Sequence, residues 1–332
     1  MIDKSFWKNK KVFITGHTGF KGGWLSLWLK KLGANVAGYA LEPLIKKAIF
    51  FDAEIFSSID KSYIGDIRDE EFLLKCMQSF KPEIVIHMAA QPLVKKSYEL
   101  PKDTFTTNII GTVNIFETIR KTSSVKAVLN VTTDKCYKNN EWDWGYRENE
   151  PLGGKDPYSS SKACSELISS AYRKSFFSEI GIALATARAG NVIGGGDWSK
   201  DRIIPDSIKS LIKNKSLYIR NPSSTRPWQH VLDPLCGYII LCQNLIENPN
   251  NFSEAWNFGP YEEDAKPVSF IVNKIVKNWN KKIEWNIDKS KHQHEDKYLK
   301  LDCSKSRKKL KWKPNWRLDR AIEETVLWYK AW

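Results

Sequence analysis

The sequence predicts an α/β protein built on a doubly wound parallel sheet, with a smaller mixed α/β unit added to it. Three observations carry this reading. A glycine-punctuated turn joins an apolar strand to an amphipathic helix near the start. Candidate strands and helices then alternate as far as residue 187. Beyond residue 188 the alternation breaks into loops and short extended segments. Strands separated by helices of ten or more residues need crossover connections, and these give a parallel sheet covered on both faces.

The first strand is 11–15, where Val12, Phe13 and Ile14 form a short β-branched and aromatic run. A helix over 22–32 follows, with Trp24, Leu25, Trp28, Leu29 and Leu32 recurring on one face. Between them stand Gly16, Gly19 and Gly22, spaced G-x-x-G-x-x-G. A strand feeding a helix through such a turn aims unpaired N–H groups and the positive helix end at one spot, which suits a pyrophosphate. Strand 35–39, strand 62–65, helix 69–80 and strand 83–88 come next. A long helix over about 102–122 carries Phe105, Ile109, Val113, Phe116 and Ile119 on one face. Strand 126–132, an irregular segment 138–156, helix 158–177 and strand 182–187 complete the regular part. Afterwards come a loop at 194–198, helix 203–213, an extended region 217–231, helix 234–246 and strand 255–258. The remainder holds helix 268–279, a strand near 282–285 and a last amphipathic helix 318–331. This pattern divides the chain into a nucleotide-cofactor domain, 1–187 with 231–262, and a substrate domain, 188–230 with 263–332.

With 332 residues the chain can bury a large core, and 42% hydrophobic with 27% charged residues is a globular composition. No stretch of eighteen apolar residues and no apolar leader is present, so secretion and membrane spanning are not expected. Six scattered cysteines without a C-x-x-C read as reduced thiols of a cytoplasmic protein, and no zinc site is expected. The pair His292 and His294 lacks a third ligand and reads as a loop pair, not a metal site. A net charge of +14 raises nucleic acid as a partner. The densest basic run, 305–313, is interrupted by Leu310 and Trp312 at core-like spacing, so it reads as a solvated helix face and no nucleic-acid partner is expected.

Three strand ends carry candidate ligand groups. Asp66, after the third strand, can accept from an adenine amino group. Ala89, Ala90 and Gln91 follow the fourth, where small residues let backbone approach a ligand. Thr133, Asp134 and Lys135 follow the fifth. Tyr158 and Lys162 lie at i and i+4 on one helix face, so an ammonium can stand beside a phenol and favour its ionised form. That makes a base of a group whose ordinary pKa is about 10. At the tip of the second strand, Glu42 could reach a ribose while Lys46 could meet a 2′-phosphate, and the expectation is NAD.

Together the glycine turn, the run Gly65-Asp66-Ile67-Arg68, the Thr133-Asp134 pair and Tyr158-x-x-x-Lys162 resemble the extended short-chain dehydrogenase/reductase superfamily, over essentially the whole chain. Within it, residues 14–24, 132–137, 190–198 and 226–231 closely resemble the nucleotide-sugar 4,6-dehydratases that act on CDP-glucose. The resemblance implies a Rossmann fold and bound NAD. It implies cofactor contacts from Gly16, His17, Thr18, Gly19, Phe20, Gly22, Asp66, Ile67, Ala89, Ala90, Gln91 and Asn108, with Tyr158 and Lys162. It implies substrate contacts from Asn191, Arg202, Arg226, His230 and Tyr298, the diphosphate falling to Asn191 and Arg226. By the same resemblance Tyr158, helped by Thr133 and Lys162, takes the proton of the sugar 4-hydroxyl, and Asp134 protonates the departing C6 hydroxyl. Lys135 stands where related dehydratases have the glutamate that acts on C5. Its role is open between a neutral base and a cation stabilising the enolate. The implied product is a 4-keto-6-deoxy sugar, on the route to deoxy sugars of cell-surface polysaccharide, and the implied assembly is a homodimer or homotetramer. A 4-epimerase of the same superfamily needs the Tyr158/Lys162 pair but not an elimination acid and base. A non-catalytic dinucleotide sensor needs none of the set. Cytidine over other bases rests on resemblance alone.

Overall fold

The computed structural model describes every residue except 44, 46, 282 and 291–297, so Lys46, His292 and His294 lie outside the described residues. Strands β1 (Lys11–Thr15), β2 (Asn35–Ala40), β3 (Lys61–Ile64), β4 (Ile84–His87), β5 (Ala127–Val131) and β6 (Ala183–Ala189) form one sheet with the later strand Ala255–Phe258. The order runs β3-β2-β1-β4-β5-β6 and then 255–258, and every neighbouring pair is parallel. This is a doubly wound Rossmann sheet. Order reverses between β1 and β4, whose paired ends Thr15 and His87 open the crevice where such folds bind ligands.

Alternation along β1 serves two cores at once. Val12 and Ile14 join Leu25, Leu29, Ile84, Ile86, Tyr238 and Leu241 on one face. Phe13 joins Tyr39, Leu73, Val85, Ile115, Phe116, Val128 and Leu184 on the other. The helices Phe20–Lys31 and Leu232–Glu247 cover the first face, and Glu70–Phe80 and Gly111–Arg120 help cover the second. A third cluster gathers Ile193, Trp198, Ile208, Trp228, Ile271, Ile322 and Tyr329. Leu310 and Trp312 are buried while Lys308, Lys309, Lys311 and Lys313 are exposed, which makes the basic run the outer face of a packed segment.

Two long helices differ from expectation. The segment expected as one helix over 102–122 is Pro101–Phe105, a π turn Thr106–Ile110 and Gly111–Arg120, preceded by an unanticipated helix Val94–Glu99. A π turn takes one residue more than an α turn and rotates what precedes it. Phe105, Ile109 and Val113 are consequently only half-buried, while Thr104, Asn108 and Thr112 turn inward with Ile115, Phe116 and Ile119. The helix expected over 158–177 runs Pro157–Tyr172 and ends in a π turn, Arg173–Phe177. Two short helices missing from the sequence reading, Ile49–Asp52 and Ile55–Ser58, close over Gly23, where any Cβ would stand 2.8 Å from Ile49 and 2.7 Å from Ile55.

Candidate active site

The glycine turn has the shape that a dinucleotide requires. Gly16 is left-handed, φ +83, and a Cβ there would lie 2.9 Å from the Ala89 nitrogen at the end of β4. A Cβ on Gly22 would lie 2.1 Å from the Gly16 carbonyl oxygen. These contacts bring the first helix turn hard against the turn that precedes it. Gly19 begins the helix Phe20–Lys31 with no side chain to cap it, so the first-turn N–H groups stay available to an anion. The residues therefore fit a bound dinucleotide.

His17 turns away from that face. Its ring packs over Gly38 of β2 and edge-on to Phe50 at 5.6 Å, and Nε2 meets the Ser62 hydroxyl at 2.8 Å. Burial drops its pKa to about 4, so it stays neutral. Thr18 donates its hydroxyl to the Leu41 carbonyl at 2.9 Å and ties the turn to the end of β2. Asp66 is engaged by Arg68 at 2.6 Å, and Arg68 reaches Asp103 at 2.8 Å. Ile67 is buried under Gly111, and its carbonyl accepts from Asn114. After β4, Ala89 donates its N–H to the Thr15 hydroxyl at 3.1 Å, and Ala90 is half-buried beside it. Asn108 accepts from the Gln91 N–H at 2.8 Å and donates to the Gln91 carbonyl at 3.1 Å and to the Ser161 hydroxyl at 2.8 Å. Its amide is thus spent holding this loop to the helix of Tyr158.

A cavity of about 340 Å³ opens beside the turn and brings together Phe20, Thr133, Asp134, Lys135, Tyr158, Asn191, Arg202 and Arg226. Asp156 caps the helix Pro157–Tyr172, accepting from the Ser159 N–H at 2.9 Å, and Tyr158 projects from its first turn. Lys162 donates to the Val131 carbonyl at 3.2 Å, at the end of β5 and two residues before Thr133. Burial and the nearby charge of Lys21 bring its pKa down to about 8. The expectation that Lys162 depresses the Tyr158 phenol is not met. Burial pushes that phenol up to about 12, with the neighbouring Thr133 hydroxyl and the charge of Arg202 opposing and Asp134 adding to the rise. The physical reason is that the ammonium is spent on Val131, and burial penalises the phenolate more than its neighbours favour it.

Asp134 lies on a single 3-10 turn, Asp134–Cys136, whose preceding residue Thr133 donates its hydroxyl to Asp134 Oδ1 at 3.0 Å. The other oxygen, Oδ2, is buried without a hydrogen-bond partner among the described residues. Burial raises this carboxyl against the pull of Lys135, Thr133, Arg226 and Lys21. A carboxyl so placed can hold a proton and give it up to a leaving hydroxyl.

On the far wall, Arg202 meets Asp197 at 2.9 Å, and Asp197 also accepts from the Ser199 N–H at 3.1 Å. The last helix clamps this loop: Tyr329 donates to the Asp197 carbonyl, and Trp328 fills the space above Gly195. Arg226 is buried on the strand Thr225–His230 and its charge acts on Asp134. His230 and Tyr298 lie outside the cavity lining: His230 packs at a tilt against Trp316, centroids 4.5 Å apart, and accepts from the Leu232 N–H, while Tyr298 bridges Thr225 and faces Lys300. Lys21, which the sequence reading passed over, lines the cavity. Its place next to Phe20 in the first turn after the glycines was the available signal.

The family model described as GDP-mannose 4,6 dehydratase matches residues 13–325. A protein of Salmonella typhimurium (strain LT2) named CDP-glucose 4,6-dehydratase is 55% identical over 337 residues, covering 100% of this chain and 94% of its own. The solved dTDP-glucose 4,6-dehydratase of Bacillus anthracis, in complex with NAD, superposes with a TM-score of 0.80 at 22% identity, covering 97% of each chain. The UDP-glucuronic acid 4-epimerase of Bacillus cereus, with UDP-glucuronic acid and NAD, gives 0.83 at 24% identity, covering 97% of this chain and 99% of its own. Those two likenesses establish the shared fold. With a family model spanning nearly its whole length, this chain belongs to the GDP-mannose 4,6 dehydratase family, within the extended short-chain dehydrogenases/reductases.

Proposed function

We propose that the chain is an NAD-dependent hydro-lyase that converts CDP-glucose to CDP-4-keto-6-deoxyglucose. The observation that carries this reading is one cavity walled by Thr133, Asp134, Lys135 and Tyr158, with Asn191 and Arg226 on its other side. The 55% identity to a CDP-glucose 4,6-dehydratase supports the choice of cytidine. The turn at Gly16, Gly19 and Gly22 and the strand ends at Asp66 and Ala89 would hold NAD, which when bound would supply reversible hydride acceptance for the sugar. Tyr158 takes the 4-hydroxyl proton beside the Thr133 hydroxyl, which opposes the rise of the phenol. Positive charge close to the phenol favours its ionised form, and Arg202 provides it. The 4-ketone acidifies C5–H, and the raised carboxyl of Asp134 protonates the departing hydroxyl. Arg226 and Arg202 suit a diphosphate, since guanidinium donors match its oxygens in pairs.

The division into a cofactor part, 1–187 with 231–262, and a sugar-nucleotide part, 188–230 with 263–332, belongs to this reading. So do a homodimer or homotetramer, cytoplasmic action and a place in polysaccharide deoxy-sugar synthesis. Six unpaired cysteines suit a reducing compartment. The exposed Ile110 and Leu167 and the half-buried Phe105, Ile109 and Val113 suit a paired helix face. Mass spectrometry of CDP-, dTDP-, UDP- and GDP-linked hexoses incubated with protein and NAD tests the reaction. Loss of one water from CDP-glucose is expected. An unchanged mass with an inverted C4 would make the protein an epimerase.

A further inference from the structure

The elimination needs a base for C5, and we propose that Lys21 is that further catalytic residue, acting as a neutral amine while Lys135 serves as the cation beside Asp134. The assignment rests on the dehydratase reading above.

Lys21 is the second residue of the helix Phe20–Lys31, and its side chain enters the cavity that holds Tyr158, Thr133 and Asp134. Among the described residues it has no hydrogen-bond or ion-pair partner. Four charged groups face it: Arg202 and Lys162 as cations, Asp134 and Asp197 as anions. The remaining cavity carboxylates are committed, Asp197 to Arg202 at 2.9 Å, Asp201 to Lys95 at 3.3 Å and Asp206 to Lys209 at 3.5 Å. Tyr158 serves the 4-hydroxyl, and Asp134 holds the proton for the leaving group. An amine is what remains.

The two cavity lysines differ in setting. Lys135 follows Asp134 directly on the turn after β5, while Lys21 enters the same cavity from the helix that follows the glycines. Lys21 sits in a partly closed pocket, where burial and the charge of Arg202 bring its amine down to about 8 and make the neutral form accessible near physiological pH.

The step balances without an outside reactant. The Lys21 lone pair takes the C5 proton, the C5–H electrons form the C5–C6 double bond, and the C6–O bond breaks. Its oxygen leaves as water with the proton of Asp134. When C6 is reduced, the Lys21 ammonium returns a proton to C5. The proton that Tyr158 took from the 4-hydroxyl then replaces, through solvent, the one that Asp134 gave.

The test uses the full-length enzyme with NAD and CDP-glucose in deuterated buffer, comparing wild type, Lys21→Met, Lys21→Arg and Lys135→Met. Reduced-nicotinamide absorbance, deuterium at C5 and water loss are followed, and NAD affinity is measured by tryptophan fluorescence. In Lys21→Met, NAD binding and nicotinamide reduction are expected to persist while C5 exchange falls about 10²-fold or more, the scale of lost acid–base catalysis. Lys21→Arg keeps the charge without a usable base and is expected to fail alike, whereas Lys135→Met, which loses a cation but keeps the base, is expected to slow exchange less than Lys21→Met does. Persistent exchange in Lys21→Met, rescue by arginine, or loss of NAD binding overturns the assignment. A wild type that neither reduces NAD nor releases water overturns the dehydratase reading itself.

Discussion

Glu166 and Arg188 meet at 2.7 Å with side chains only 3% and 4% exposed, and this pair fastens the helix of Tyr158 to β6. Glu166 also accepts from the hydroxyls of Thr132 and Thr186, and Arg188 reaches Tyr137 at 2.8 Å. Thr132 precedes Thr133, so the pair holds the strand end that carries Thr133 against the helix that carries Tyr158. Burial alone would raise the Glu166 carboxyl, but Arg188 and the two hydroxyls hold it below the ordinary range.

Removing one partner leaves a buried charge uncompensated. Glu166→Gln is expected to cost about 3 kcal/mol of unfolding free energy, measured by urea titration. The sign with pH follows from the depressed carboxyl: its stabilisation is complete above the unfolded pKa of about 4.3 and is lost as pH falls through the lower folded value. The wild type, but not the variant, should show that acid loss. Equal denaturation midpoints would remove the pair from this role.

Tyr158→Phe keeps the ring and removes the base. Folding and NAD affinity should survive while turnover falls by about 10² or more. Thr133→Val removes the hydroxyl that lowers the phenol and should move upward the limb along which the rate rises with pH, with a smaller loss of rate. Normal turnover in Tyr158→Phe would return the proton abstraction to another residue.

The sheet was legible because Val12, Phe13 and Ile14 are apolar in succession, as a strand covered on both faces must be, and because glycines separate them from a helical stripe. The helix over 102–122 was misread because a π turn leaves no composition signal, only a change of phase that a stripe at regular spacing hides. Asp134, Tyr158 and Arg226, which line the cavity, were legible as motif residues. Lys21 was not, because a lysine near a helix start looks like a solvated surface residue until the fold shows it facing Asp134 and Lys162. The bond from Lys162 to Val131 was equally invisible, since i, i+4 spacing places side chains on one face without fixing their partners.

Lys162 is kept at a cost to stability. Its folded pKa of about 8 lies below the unfolded value of about 10.4, so the ammonium destabilises the fold fully below pH 8, and the penalty fades as pH rises toward 10.4. Lys162→Met should therefore raise the thermal midpoint of the cofactor-free protein at pH 7, by a gain on the order of 1 kcal/mol, while abolishing activity. A lower midpoint would mean that the bond to Val131 outweighs the burial of charge.

Lys135 and Asp134 give the sharpest pH prediction. Burial raises the Asp134 carboxyl, and the Lys135 charge is the strongest opposing influence. In Lys135→Met that opposition is gone, and the carboxyl titrates at a higher pH. An acid must be protonated to act, so the limb along which water release declines with rising pH should move upward in the variant. The maximal rate should fall as well, because an enolate forming at the 4-keto oxygen loses a nearby cation. Single-turnover water release, followed across pH by mass spectrometry, separates the two effects. A limb that stays in place while the rate falls would confine Lys135 to the enolate. A limb that moves down would show that Asp134 is not the acid.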